Sequence, residues 1–310
     1  MKVALITGVS GFIGRRLAAN LHSRGVRVIG IVRNSEPSGS IAGISIRGDI
    51  TDRSFVADIV EENLPEVIFH MAANKYRTGC IEEFRQSLED NLVGTLNLAE
   101  ACIGKSYVRR FVAMGTCEEY GHSCVPFMEG MRESPVSAYS FTKTAATHLL
   151  QTLYRLYNLP AVVLRPSLAY GPGQMADMFL PALIQSLLKK EKFAMSGGQQ
   201  TRDFVYVDDL IEALFLAAKV PEAIGKVINI GCGLPVLLKD LALMAAQQIG
   251  ANAEELIEFG KKSYRPNEIT EYVASNRAAE SILGWLPRTS FEDGFKMTIE
   301  YYRQNLNKTI

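Results

Sequence analysis

The chain has 310 residues, 47% of them hydrophobic, enough for one large α/β domain or two smaller ones around a substantial core. Lys plus Arg and Asp plus Glu both number 33, so the formal net charge is zero. No basic block offers nucleic acid an electrostatic footprint, and no apolar run approaches the length of a membrane span. The opening "MKVALITG" has too short an apolar part for a signal peptide and runs straight into a strand pattern. Cysteines fall at 80, 102, 117, 124 and 232 with no C-x-x-C pair, and histidine is scarce. These features predict reduced thiols in a cytoplasmic protein with no metal site.

In chain order, "KVALIT" (2–7) reads as a strand and 12–24 as a helix. "VRVIGIV" (26–32) and "EVIFHMAA" (66–73) read as strands, followed by a helical stretch over about 81–104. "RRFVAMGT" (109–116) and "AVVLRP" (161–166) continue the alternation, and "VINIG" (227–231) looks like one more sheet strand. Near-continuous apolar strands alternating with helices predict a parallel sheet covered on both faces, which right-handed crossovers make doubly wound, a Rossmann arrangement. After Pro166 strands thin out, and "YGPGQ" (170–174) is a turn. The expected organisation is a dinucleotide-binding domain over 1–166, with 205–231 returning to it, and a smaller C-terminal substrate-binding lobe from 167–204 and 232–310.

"LITGVSGFIGRRL" (5–17) places Gly8, Gly11 and Gly14 between the first strand and its helix. Glycines there let backbone N–H groups and a helix N-terminus approach a pyrophosphate with no Cβ in the way; the plain alternative is a tight, packed turn. Some 20 residues on, the end of the second strand reads the cofactor ribose in dinucleotide folds. "IGIVRNS" has no acid there but Val32, Arg33 and Asn34. A guanidinium suits a 2′-phosphate through charge-assisted hydrogen bonds, so NADP(H) is preferred, with NAD(H) the alternative. "GDITD" (48–52) supplies Asp49, for the adenine side of the site or for a turn, and a helix cap near Thr51 or Asp52.

"SAYSFTK" sets Tyr139 and Lys143 four apart on one helix face, the only Y-x-x-x-K in the sequence. An ammonium beside a phenol lowers its pKa from about 10 and fits it to exchange a proton with an alcohol/ketone pair. Thr116 ends a strand, where ligands bind in such sheets, and its hydroxyl can polarise the same oxygen. Cys117 and Glu118 follow it.

Taken together these motifs resemble the extended short-chain dehydrogenase/reductases, in the nucleotide-sugar epimerase/dehydratase group, over nearly the whole chain. The wider glycine spacing of "TGVSGFIG" is that superfamily's form of the fingerprint, and "FHMAA" (69–73) resembles its segment beside the cofactor. The resemblance implies that Gly8, Gly11, Phe12, Ile13, Gly14, Arg33, Asp49, Ile50, Ala72, Tyr139 and Lys143 bind the cofactor. It makes Thr116, Tyr139 and Lys143 the catalytic triad and Asn91 a structural asparagine. It further implies a nucleoside-diphosphate hexose substrate near Lys75 and Ser167, its diphosphate on Arg202 of "QTRDFVYVDDL" and Arg265 of "RPNEITEY", and pairing into a homodimer through helices near 81–104 and 137–157. Many of these epimerases have Asn where this chain has Ser167, which leaves the nucleobase open.

Three chemistries share that scaffold: reduction at C4 of a 4-keto-6-deoxyhexose, 4,6- or 5,6-dehydration with internally recycled cofactor, and 4-epimerisation. In the dehydratases an acid–Glu pair follows the Thr; here it is Cys117–Glu118, and a thiol near pKa 8.5 is a poor acid for elimination. "TCE" with "RPNEITE" also resembles a 5,6-dehydratase, while "CEEYG" and "GIVRNS" resemble GDP-4-keto-6-deoxymannose reductases. The expectation is the NADP(H)-dependent reductase, with dehydratase, epimerase and a non-catalytic dinucleotide-binding sensor as alternatives.

Overall fold

The computed structural model describes residues 1–33, 42–76 and 80–306; Asn34, at the ribose end of the second strand, lies outside the described residues. Its centre is a seven-stranded sheet. In chain order the strands are β1 (Val3–Thr7), β2 (Arg27–Val32), β3 (Ile44–Arg47), β4 (Val67–His70), β5 (Arg110–Met114), β6 (Ala161–Pro166) and the strand Val227–Ile230. Across the sheet they run β3–β2–β1–β4–β5–β6 and then Val227–Ile230, every pair parallel. The order reverses between β1 and β4, which opens a crevice above the carboxyl ends of those strands.

Alternation along each strand divides the core between two faces. Ala4, Ile6, Val112, Met114, Val162 and Leu164 face one buried cluster. Leu5, Phe111, Ala113, Ala161 and Val163, the intervening residues, face the other. Helices α1 (Phe12–Ser23) and Val207–Lys219 pack against each other over the first face, where Leu17, Leu21, Leu210 and Leu214 are buried. Helix α2 (Arg53–Asn63) covers the second, capped by Asp52, whose carboxylate accepts from the Ser54 and Phe55 N–H groups at 3.0 and 3.1 Å. β3 is absent from the sequence reading because it is an edge strand: exposed over most of its length, it has no continuous apolar run.

The helical stretch expected over 81–104 is interrupted. It runs as α3 (Ile81–Ser87), a π turn (Leu88–Val93) and α4 (Gly94–Cys102). Asn91 sits in the π turn, and its amide bonds the backbone of Asn74, accepting from the N–H at 2.6 Å and donating to the carbonyl at 2.9 Å. It also donates to the Thr142 hydroxyl at 2.9 Å, tying the π turn to the long helix α5 (Ala138–Tyr157). π turns of this kind recur at functional sites.

A third buried cluster, with Tyr170, Leu183, Ile184, Leu241 and Phe295, joins the helices Phe179–Leu188, Leu238–Ile249 and Phe291–Asn305. Ala279, Leu283 and Trp285 fall in the segment expected in the lobe, yet they are buried in the sheet's first cluster. The Trp285 indole anchors there by donating to the Asp209 carbonyl at 2.9 Å. No helix among the described residues is long and apolar enough to cross a membrane.

Candidate active site

The loop from β1 to α1 is shaped by close approach. Gly8 has φ +69°, and a Cβ there would stand 2.7 Å from the Ala72 nitrogen. A Cβ on Gly14 would overlap the Gly8 carbonyl oxygen, so the first turn of α1 lies directly on the loop. Gly11 is the N-cap, no side chain caps the helix, and its first turn carries no acid. The helix N-terminus therefore keeps backbone donors and a positive dipole end for an anion. This cradle fits the pyrophosphate of a dinucleotide. Phe12 and Ile13 open α1 and pack on the first cluster, and the Ala72 N–H donates to Thr7 Oγ1 at 3.1 Å. Ile50, expected beside the cofactor, is a core side chain packed against Gly94.

At the end of β2, a cleft of about 350 Å³ is lined by Arg33, Asp49, Thr51, Asn74, Tyr76 and Asp90, among others. The half-exposed Arg33 guanidinium stands 3.1 Å from the Asp90 carboxylate, which is itself buried. Asp49 lines the cleft and closes its own turn, accepting from the Thr51 N–H and hydroxyl, both at 2.9 Å.

The catalytic candidates converge from two elements. Thr116 follows β5 and caps a short 3₁₀ turn (Cys117–Tyr120), its hydroxyl accepting from the Glu118 N–H at 3.2 Å. Ser137 caps α5 and so starts the helix one residue pair before Tyr139. Tyr139 and Lys143 follow one turn apart, both buried, and the Lys143 ammonium donates to the Met114 carbonyl at 2.6 Å, at the end of β5. Burial lowers the Lys143 pKa to about 8; Glu119 works against that shift, and Lys75 adds to it. Lys75 itself is exposed. Below these groups His70 is buried between the Thr7 and Thr95 hydroxyls, 2.8 Å from each, and desolvation, aided by Lys143, drops its pKa to about 3. It is a neutral structural group.

Cys117, expected among the catalytic residues, is turned into the core. Its thiol is fully buried and donates to the Arg165 carbonyl at 3.1 Å, and burial pushes its pKa well above the ordinary thiol value. A 3₁₀ turn separates neighbouring side chains in direction; here Cys117 points inward while Glu118 is half-buried.

Glu119 and Arg165 are functional-site residues that the motifs do not single out. One Glu119 oxygen accepts from the Thr116 N–H at 2.9 Å; the other accepts from the Thr147 hydroxyl at 2.9 Å and from Arg165 Nε at 2.8 Å. Arg165 also bonds Glu133 at 2.7 Å. The one available signal was an arginine inside the otherwise apolar run "AVVLRP", since a charge in a buried strand requires a buried counter-charge.

On the lobe side, Ser167 is buried where the chain leaves β6, its N–H donating to the Ile230 carbonyl at 2.8 Å. The Arg202 guanidinium donates to the Thr201 and Ile269 carbonyls at 2.7 and 2.8 Å and pairs with Glu268. Arg265 is exposed; Glu268 bonds its carbonyl through the backbone at 3.1 Å, so this one residue ties the Arg202 and Arg265 segments together. Among the described residues no cluster of three or more His, Cys, Asp or Glu could hold a metal ion.

Residues 4–231 match the NAD dependent epimerase/dehydratase family. The chain is 30% identical to a trifunctional UDP-glucose 4,6-dehydratase/UDP-4-keto-6-deoxy-D-glucose 3,5-epimerase/UDP-4-keto-L-rhamnose-reductase of Arabidopsis thaliana, over 98% of this chain and 47% of that protein. It thus spans about half the length of that relative. A UDP-glucose 4-epimerase of Thermotoga maritima, solved with UDP-glucose, superposes with a TM-score of 0.90 at 28% identity, covering 98% of this chain and 99% of that one. The MoeE5 protein, solved with UDP-glucose and NAD, gives a TM-score of 0.88 at 32% identity over 99% and 100% of the two chains.

Proposed function

The chain belongs to the NAD dependent epimerase/dehydratase family, and within it we propose that it reduces C4 of a nucleoside-diphosphate 4-keto-6-deoxyhexose with a preference for NADP(H). It is an enzyme of the extended short-chain dehydrogenase/reductase type. The observation that carries the proposal is the convergence of Tyr139, Lys143 and Thr116 at the carboxyl end of β5 beside the glycine cradle. Tyr139 gives its phenolic proton to the C4 oxygen, and Thr116 donates a second hydrogen bond to that oxygen. The Lys143 ammonium, buried nearby, stabilises the phenolate that results. A bound nicotinamide supplies the hydride to C4. Gly8, Gly11 and Gly14 would hold the pyrophosphate, and Arg33 the 2′-phosphate in exchange for its contact with Asp90. NAD(H) is the competing cofactor. Arg202 and Arg265 would take the substrate diphosphate, with Lys75 and Ser167 also lining the substrate side.

Burial of Cys117 supports reduction over dehydration, because elimination at C6 needs an acid beside Glu118 and this thiol is bonded away from the crevice. Glu118 supports dehydration as the second reading: it is half-buried next to Thr116 and near enough to Arg202 and Tyr272 for its carboxylate to act on both.

Two parallel reactions separate the readings. Nucleoside-diphosphate 4-keto-6-deoxyhexoses with NADPH should lose one NADPH per product. The parent hexoses in D₂O without added cofactor should be unchanged. Deuterium at C5 or C6 with loss of water would establish the dehydratase instead, and interconversion of C4 epimers without net cofactor use the epimerase. Exposed apolar side chains on α4 and α5 (Leu96, Phe141, Leu156) support pairing of two copies through these helices. Sedimentation should show a dimer that Phe141→Glu disperses; a monomeric wild type would overturn the pairing.

A further inference from the structure

Tyr272 is held on several sides and yet has a poorly paired hydroxyl. Its ring is buried, packed edge-on against Phe127 with centroids 5.5 Å apart at 86°, and the Arg202 guanidinium lies over it at 5.8 Å. Its backbone neighbourhood is fixed: the Phe127 N–H donates to the Val273 carbonyl at 2.8 Å, and the Ser275 N–H to the Phe127 carbonyl at 2.9 Å. Among the described residues the hydroxyl makes no hydrogen bond of good geometry; its hydrogen-bonding neighbour is the Thr116 hydroxyl, in a contact that falls short of one. Buried tyrosine hydroxyls ordinarily find one, because a desolvated polar group left unsatisfied destabilises the fold.

The surroundings of that hydroxyl are those of the catalytic end. Burial, followed by the nearby Cys117 and Glu118, holds its pKa well above the usual value; the hydrogen-bonding contact with the Thr116 hydroxyl works the other way, and Tyr139 adds to the rise. The group therefore stays a neutral phenol, able to donate a hydrogen bond. It stands between Arg202, the diphosphate candidate, and Thr116 with Tyr139, the candidates at C4. A hexose joined to a diphosphate at one end and reacting at C4 spans that interval with its ring oxygens and hydroxyls.

Resting on the nucleotide-sugar reading above, we propose that Tyr272 is a substrate-binding residue whose hydroxyl donates to an oxygen of the hexose between the diphosphate and C4. The free protein then carries a poorly paired donor that the sugar satisfies. This makes recognition of the hexose separable from recognition of the nucleotide.

The test compares wild type with Tyr272→Phe, which keeps the ring and its packing. Affinities for UDP, dTDP and GDP, for their hexose conjugates, and for NADPH are measured by calorimetry, with Tm of the free proteins. The hexose conjugate should lose about tenfold in affinity, while the diphosphate alone and NADPH bind unchanged. Tm without ligand should be nearly unchanged, since only the loose contact with the Thr116 hydroxyl is removed. Equal hexose-conjugate affinities in the two proteins, or a lower Tm with diphosphate binding weakened as much as hexose binding, would overturn the role of Tyr272. Wild-type protein that binds none of the diphosphates or conjugates would overturn the nucleotide-sugar reading itself, and this role with it.

Discussion

The Arg165 guanidinium stands 2.7 Å from the Glu119 carboxylate, with neither side chain more than 1% exposed. Because Glu119 also accepts from the Thr116 N–H, this pair ties β6 to the turn that presents the Thr116 hydroxyl. Removing one partner of a buried pair leaves an uncompensated charge, which costs about 3–5 kcal/mol, whereas replacing both by apolar groups is often neutral. Arg165 keeps Glu133 at 2.7 Å, so Glu119→Gln leaves its charge partly compensated and should lower unfolding stability by roughly 2 kcal/mol in urea titrations; Glu119→Leu with Arg165→Met should recover part of it, since Glu133 then loses its partner. The double variant should still turn over slowly, because the Thr116 N–H has lost its anchor. A Glu119→Gln protein as stable as wild type would refute the electrostatic account.

Arg33→Ala should weaken NADP(H) about ten- to a hundredfold, the loss of a charge-assisted contact of roughly 1.5–3 kcal/mol, and leave NAD(H) affinity nearly unchanged. Fluorescence titration of both cofactors into both proteins checks this. Equal NADP(H) affinities would remove Arg33 from the ribose site.

Tyr139→Phe should bind cofactor like wild type and lose about 10²–10⁴-fold in turnover, the usual contribution of a positioned acid–base group. Steady-state rates on a 4-keto-6-deoxyhexose conjugate decide it. Near wild-type turnover would mean that another group moves the proton.

Lys143 links stability to pH. Its pKa is about 8 in the folded protein against 10.5 for an ordinary lysine. The unfolded chain thus binds more protons between these values, and stability rises with pH across the window. The full benefit is present above pH 10.5 and is lost as pH falls through 8. At about 1.4 kcal/mol per pKa unit, wild type should gain roughly 3 kcal/mol relative to Lys143→Met between pH 8 and 10.5. Parallel pH profiles in denaturant unfolding would contradict it.

The sequence by itself determined the framework. Apolar runs of strand length, glycines at 8, 11 and 14, and a single Tyr–Lys pair at helical spacing depend on local periodicity, which survives without knowledge of neighbours. That the sheet is doubly wound followed from handedness rules that apply to any such alternation, whereas the order of its strands came from the structure. What only the tertiary structure decided concerns contacts between distant segments. Asn91 breaks the 81–104 helix because it bonds the loop at Asn74, 17 residues away. Cys117 and Glu118 are neighbours in the chain, but Arg165 claims one for the core, 48 residues on. Glu119 and Tyr272 lie in "CEEYG" and "RPNEITEY", which assign them no role, and they matter through what they face, Arg165 in one case and Arg202 with Phe127 in the other. Burial and pairing are properties of the packed environment rather than of residue type, so a sequence pattern can place a side chain on an element and leave undecided what it meets there.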